Sequence, residues 1–330
     1  MPMKATCREG RGIVVGVPVI SVITLSYYSE YLFDAIDSVL NQSYPHIQYI
    51  ISDDGTENFD ADVIRAYIQK HKKENLVEFV LLHAAQNTGT VQNANRALEA
   101  VKGELVFYLS SDDVFVSNKV LEHWAQFMLD KKSMLCTSYR ACYSTEYDRV
   151  FEILPSPYQV RLLKRQNNQR IFGELSKSNF IFGCCTAISR QCLQQYGFYD
   201  ETYCLVEDYP YVLTYVRKGG KIDFFNEITV RYRSGGISSS GSFNPAYEAD
   251  SDKILEKEIL PFVSNPQKVK KIYNHWKKRQ IQDAAFLKQN SACNGNKIKL
   301  LLLYVRYPGR GAEVLKRKMA GNRRMKHADR

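Results

Sequence analysis

The sequence predicts an α/β fold, a mostly parallel sheet with helices on both faces. Strand-like apolar runs alternate with amphipathic helix-like segments from residue 17 to about residue 115. Such alternation with short connections argues for parallel strands joined by crossover helices. Two of these runs, residues 47–52 and 105–109, stop abruptly at adjacent carboxylates, Asp53-Asp54 and Asp112-Asp113. Right-handed crossovers bring both strand ends to one sheet edge, where open α/β sheets bind their ligands.

Taken in order, residues 17–26 alternate β-branched residues and read as the first strand. Ser29 is placed as the N-cap of a helix to about residue 42, with Leu32, Ile36, Val39 and Leu40 on its apolar face. Strand 47–52, helix 61–73, strand 77–83, helix 91–101 and strand 105–109 complete a β-α-β-α-β-α-β order. Gly10, Gly12 and Gly16 precede the first strand rather than follow it, which rejects a dinucleotide loop. A helix over 120–129 and a strand over 134–143 follow. Residues 144–178, with Pro155 and Pro157, read as a mobile loop. A strand is expected over 179–189, and a short helix ends at Tyr196-Gly197. Glu207-Asp208 opens a helix to Arg217, and 221–231 is the last core strand.

Charge is unevenly spread. Residues 265–330 hold 18 Lys/Arg against 3 Asp/Glu, whereas residues 1–264 hold 27 against 32. This divides the chain into a body over 1–240, with halves at about 17–115 and 116–240, and a basic helical extension over 241–330. In the extension Val269, Ile272, Tyr273 and Trp276 recur at helical spacing among lysines, and residues 298–307 are apolar but too short to cross a bilayer. Such basic amphipathic helices lie on anionic membranes; the alternative is a cap on the body with a solvated outer face. A nucleic-acid partner is not expected, because the body is acidic and no recognised nucleic-acid motif accompanies the tail. The eight cysteines form no Cys-x-x-Cys pair, which argues against zinc. Scattered thiols in a chain this long read as reduced, giving a cytoplasmic location, peripheral on the inner face of the cell membrane through the tail. Cys184-Cys185 read as strand packing rather than nucleophiles.

Paired carboxylates repel and are costly to desolvate unless a cation or proton compensates. A hard divalent ion shared with substrate phosphates supplies that compensation; a plain turn is the alternative. Glu207 and Asp208 are either first-turn acids favoured by the helix dipole or a general base.

The order and spacing of several segments resemble the family 2 glycosyltransferases, inverting sugar-transfer enzymes of the GT-A fold. The segments are Val19-Ile-Ser-Val-Ile-Thr, Ala35-Ile-Asp-Ser-Val-Leu-Asn-Gln-Ser-Tyr, Ile50-Ile-Ser-Asp-Asp-Gly-Thr and Asn87-Thr-Gly-Thr-Val-Gln-Asn-Ala-Asn-Arg-Ala. Gly103-Glu-Leu-Val-Phe-Tyr-Leu-Ser-Ser-Asp-Asp, Gly197-Phe-Tyr-Asp-Glu and Glu207-Asp208 complete the set. The resemblance implies a UDP-sugar donor contacted by Thr24, Ser26, Asp53, Asp54, Asn87, Arg96, Ser111 and Asp112. It implies Mn²⁺ or Mg²⁺ at Asp113 and Asp112, and Asp208, with Glu207 beside it, as catalytic base. The implied acceptor is a glycan hydroxyl, on a lipid carrier in surface polysaccharide synthesis. Two departures stand out: Ser110 replaces the first Asp of the usual Asp-x-Asp-Asp pattern, and the usual late His is replaced by Tyr232-Arg-Ser-Gly-Gly-Ile-Ser, where Arg233 is a candidate diphosphate contact. A nucleotide-sugar-binding protein without turnover is the alternative that Ser110 raises.

Overall fold

Burial on both faces is what the near-continuous apolar runs of a parallel sheet demand, and the computed structural model meets it. It describes residues 17–234, 244–275 and 277–278. The first half runs β1 (Ile20–Ser26), α1 (Leu32–Leu40), β2 (Ile47–Asp53), α2 (Ala61–His71), β3 (Leu76–His83), α3 (Thr90–Glu99) and β4 (Leu105–Ser110). Strand β1 lies between β2 and β4, parallel to both, and β2 pairs in parallel with β3. All residues of β2 and all but Leu25 of β1 are buried.

The second half is mixed. It comprises β5 (Val114–Phe115), α4 (Val120–Lys131), β6 (Leu135–Tyr143), β7 (Val150–Leu154), α5 (Pro157–Lys164), α6 (Asn168–Leu175), β8 (Thr186–Ser189), α7 (Arg190–Tyr196), α8 (Asp208–Arg217), β9 (Ile222–Arg233) and α9 (Pro245–Ile254). The described strands form one sheet in the order β3-β2-β1-β4-β8-β6-β9-β5, with β7 beside β6. Strand β8 is antiparallel to both β4 and β6, whereas β9 is parallel to β6. Alternate side chains of the central strands enter two cores, one on each face. Val22, Phe107 and Trp124 share one with α1, α2 and α4; Ile23, Val106 and Leu213 share the other with α3, α5, α6 and α8.

Three local expectations change. Ser29 does not cap α1: the helix begins at Leu32 without a side-chain cap, and the Ser29 hydroxyl donates to the Ser111 carbonyl. Residues 144–178 are not a loop but β7, α5 and α6. Ser156 and Gln159 form a reciprocal capping box with Pro157 in the first turn, a local helix-start signal. Residues 179–189 are a strand only from Thr186; Gly183–Cys185 is a single 3₁₀ turn, so Cys184 packs in a turn.

The extension joins the body where it is described. Ile254, Leu255 and Ile259 are buried in the α3–α8 core. Residues 266–275 are helical, and Val269 and Tyr273 pack on that same core. The apolar side expected to meet a membrane thus faces the body along this stretch, although Ile272 is half exposed. Trp276, residues 279–330 and residues 235–243 lie outside the described residues, as do Gly10, Gly12 and Gly16. No helix among the described residues is long and apolar enough to cross a membrane.

Candidate active site

A cleft of about 1180 Å³ opens at the carboxyl ends of β1, β2 and β4. Its floor and one wall come from the first half, through Ser26, Asp54, Asn87, Ser111 and Asp112. The opposite wall brings Gly183, Glu207, Asp208 and, from α9, Tyr247.

At the end of β2 the paired carboxylates Asp53 and Asp54 are saturated by their own surroundings. Asp53 accepts from the Thr56 amide at 2.8 Å and hydroxyl at 2.7 Å, and pairs with His83 Nδ1 at 2.9 Å. It is 1 % exposed and does not line the cleft. Asp54 accepts from the Thr88 amide and hydroxyl at 3.1 and 2.6 Å and from the Gly89 amide at 2.8 Å, with Arg96 Nη2 at 3.8 Å. Asp54 thus ties the β2 end to the loop that starts α3. Gly89 is required in that loop: its φ is +91°, and a Cβ there would meet the Cys204 carbonyl oxygen at 2.5 Å. Arg96 lies outside the cleft lining, donating to Asn93 and Thr88. Thr24 is fully buried against the Tyr49 hydroxyl. Of the eight residues expected to hold a nucleotide-sugar, Ser26, Asp54, Asn87, Ser111 and Asp112 line the cleft, whereas Thr24, Asp53 and Arg96 do not.

Asp112 and Asp113 part company. The chain turns between them, the Asp113 amide donating to the Ser110 carbonyl at 3.1 Å. Asp112 faces the cleft, and burial holds its carboxyl above the ordinary range, opposed by the nearby Arg233 guanidinium. Asp113, expected beside it as a metal ligand, is turned into the protein and has no exposed surface. Its Oδ1 accepts the Arg233 amide at 2.8 Å, and its Oδ2 has no hydrogen-bond partner among the described residues. Burial first, then Cys184 and Asp112, push its carboxyl well above the usual value. Arg233 is 4 % exposed. Its guanidinium lies between the Tyr31 and Tyr147 rings and bonds Asp34, Thr145 and the Asp112 carbonyl. Arg233 lines the cleft, but its amide and Nε hold the turn after β4 while Nη1 and Nη2 bond Thr145 and Asp34.

The opposite wall carries the under-compensated acids. Asp208 Oδ2 accepts from the Gly183 amide at 2.8 Å and Asn179 Nδ2 at 3.3 Å. A Cβ at Gly183 would lie 3.3 Å from Glu207 Oε1, so a bare backbone lets both acids sit against this turn. Burial raises the Glu207 carboxyl to about 8, helped by the adjacent Asp208 charge. Burial also raises Asp208, against amide bonds from Gly183 and Tyr209 and the charge of Arg140. Arg140, which sequence reasoning missed, lines the cleft with its guanidinium stacked between Phe182 and Tyr232 at 3.6 and 4.1 Å from the ring centroids. That guanidinium also touches Cys184 and, with the Cys184 thiol, outweighs burial to lower the Cys185 thiol.

No group of three or more His, Cys, Asp or Glu among the described residues could hold a metal by itself. A hard cation bridging substrate phosphates needs only one or two protein carboxylates. Asp112, desolvated and facing the cleft, fits that partial site; Asp113 does not reach it.

A sequence profile of glycosyl transferase family 2 matches residues 21–197. TuaG of Bacillus subtilis, whose name assigns it to teichuronic acid biosynthesis, is 36% identical over 115 residues, 34% of this chain and 43% of that protein. An uncharacterized glycosyltransferase of Haemophilus influenzae is 31% identical over 47% of this chain and 60% of its own length. The chain thus spans about half the length of these two relatives. Among solved structures, S. aureus TarS 1–349 in complex with UDP-GlcNAc superposes with a TM-score of 0.55 at 18% identity, covering 72% of this chain and 65% of that one. Mannosyltransferase PcManGT of Pyrobaculum calidifontis, in complex with GDP-Man and Mn²⁺, gives 0.52 at 12% identity over 89% and 81% of the two chains. The fold is GT-A, and with more than half of its length matched by the profile, the chain belongs to glycosyl transferase family 2.

Proposed function

We propose that the chain transfers a sugar from a nucleotide-sugar, a UDP-sugar in the first instance, to a glycan hydroxyl with inversion at the anomeric carbon. One observation carries this: Asp54, Asp112, Glu207 and Asp208, from distant parts of the chain, line a single cleft. Asp54 keeps the loop around Asn87 and Gly89 in place to receive the nucleoside. Asp112 lines the cleft where the diphosphate would lie and would hold a Mn²⁺ or Mg²⁺, which when bound would supply positive charge to the leaving nucleotide. Asp208, fixed by Gly183 and Asn179, accepts the proton of the acceptor hydroxyl as that oxygen attacks the face opposite the leaving group. Its raised pKa brings it nearer the operating pH, where a general base is most effective. Glu207 stays protonated at neutral pH beside it and sets the local charge. The donors bound by the TarS and PcManGT neighbours and the pathway in the name of TuaG support a nucleotide-sugar and a surface polysaccharide. A lipid-linked acceptor and contact with an anionic membrane rest on the basic residues of 265–330 alone. The working division is a catalytic body over 1–240 whose core also takes in the start of the 241–330 extension.

The test is a panel of nucleotide-sugars assayed for metal-dependent nucleotide release and for protection against thermal unfolding. Protection and release with at least one donor are expected. Protection without release would favour the binding-protein alternative, and neither would remove the reading.

A further inference from the structure

The acids Glu207 and Asp208 are preceded by three residues whose backbone amides all point at one side chain. Asp250, on α9, accepts from the Cys204 amide at 3.0 and 2.9 Å through its two oxygens, from the Leu205 amide at 2.6 Å and from the Val206 amide at 3.0 Å. It is 4 % exposed. A buried carboxylate costs several kcal/mol unless its lone pairs are filled, and here consecutive amides fill them. A loop whose amides converge on one charged acceptor has few other conformations open to it, because each alternative leaves a buried charge or an amide unpaired.

The same loop is held from its far side. The Cys204 carbonyl accepts the Val91 amide at 3.1 Å and lies against Gly89, whose amide Asp54 holds. A bonded path thus runs from Asp54 to the Gly89 amide, along the chain to Val91, across to the Cys204 carbonyl and on to Asp250. Helix α9 also places Tyr247 in the cleft, one turn before Asp250. Opposite Asp250 no side-chain cation serves as partner among the described contacts: its bonds are to backbone amides alone.

We propose that Asp250 is a positioning residue for the Glu207–Asp208 pair, so that the catalytic centre includes α9 from the start of the C-terminal extension. This rests on the transferase reading above. Asp250 fixes where the polypeptide enters α8, and hence where the Asp208 carboxylate stands relative to an acceptor hydroxyl; a misplacement of about 1 Å at such a group costs on the order of 10²-fold.

The experiment compares Asp250→Asn with Asp252→Asn in the full chain. Asp252 is on the same helix, half exposed, and pairs with Lys277, so its substitution removes an equal charge without touching the loop. Asn keeps the shape and one acceptor oxygen, which limits damage to folding, while its NH₂ opposes the amide donors of the loop and loosens it. Amide hydrogen exchange is read first, without substrate: Asp250→Asn speeds exchange at residues 204–208, and Asp252→Asn does not. Kinetics are read second: in Asp250→Asn kcat falls on the order of 10-fold or more, while the UDP dissociation constant stays within about 2-fold, because the bonds of Asp54 are intact. Unchanged exchange at 204–206 overturns the anchor. Faster exchange with unchanged kcat, or kcat and UDP affinity falling in step, overturns positioning and leaves Asp250 as general fold support. A wild type inert toward every donor defeats the transferase reading instead, and the exchange arm still reads the anchor.

Discussion

The two halves of the molecule spend their carboxylates differently. In the parallel half, Asp53 and Asp54 are acceptors for nearby amides, hydroxyls and a histidine, and each is filled by groups within its own half. In the mixed half, Glu207 and Asp208 sit side by side against a bare glycine turn, and both are held above their ordinary pKa by burial. Saturated acids build a rigid surface, whereas under-compensated acids retain affinity for a proton. The contrast assigns shape to the acids at the end of β2 and proton transfer to those at the start of α8.

The contrast breaks most visibly at Asp208. Asp208→Asn keeps the Gly183 bond through its amide oxygen but removes the basic lone pair. Transfer is expected to fall on the order of 10²–10⁴-fold, measured as kcat in a coupled nucleotide-release assay; normal turnover would remove Asp208 from the base role. Next is Asp54. Asp54→Ala strands the Thr88 and Gly89 amides and frees the loop, so unfolding by denaturant should show a loss of about 1–3 kcal/mol with a raised donor KM. Stability lost with an unchanged KM would confine Asp54 to the fold.

A smaller effect sharpens the electrostatic side. A glutamate whose pKa rises on folding, here from 4.5 to about 8, holds its proton more tightly when native. Its charging therefore costs stability as pH rises through that window, the full benefit being present below the unfolded value. Glu207→Gln should flatten the decline in unfolding free energy between pH 5 and 8, by on the order of 1–2 kcal/mol after allowance for partial exposure. Asp208 contributes a residual slope of the same sign. Parallel curves for wild type and variant would contradict the raised Glu207.

Much of the parallel half was legible in the sequence because its signals are local. Apolar runs of strand length, helical spacing and the paired acids at two strand ends together give β1 to β4 and the sheet edge they share. The mixed half was harder. Helices α5 and α6 are eight residues each, short enough that two prolines and scattered polar residues read as a loop, although Ser156-Pro157 with Gln159 carried a start signal. Which of Asp112 and Asp113 faces the cleft depends on one turn and on the Arg233 amide, 120 positions away. No local pattern encodes that. Asp250 and Arg140 act through contacts 44 positions apart, and neither stands in a motif. The Ser29 cap failed for a related reason: its hydroxyl donates to the distant Ser111 carbonyl and accepts the Tyr31 amide, and α1 starts only at Leu32.

The division of labour between the halves is tested most directly by titrating UDP, with Mn²⁺ present and absent, into wild type, Asp112→Asn, Asp113→Asn and Asp208→Asn. The account predicts that Asp112→Asn alone loses the metal-dependent gain, on the order of 10–100-fold in affinity. Asp113→Asn and Asp208→Asn should bind as the wild type does. Loss in Asp113→Asn with Asp112→Asn unaffected, or equal loss in Asp112→Asn and Asp208→Asn, would contradict it.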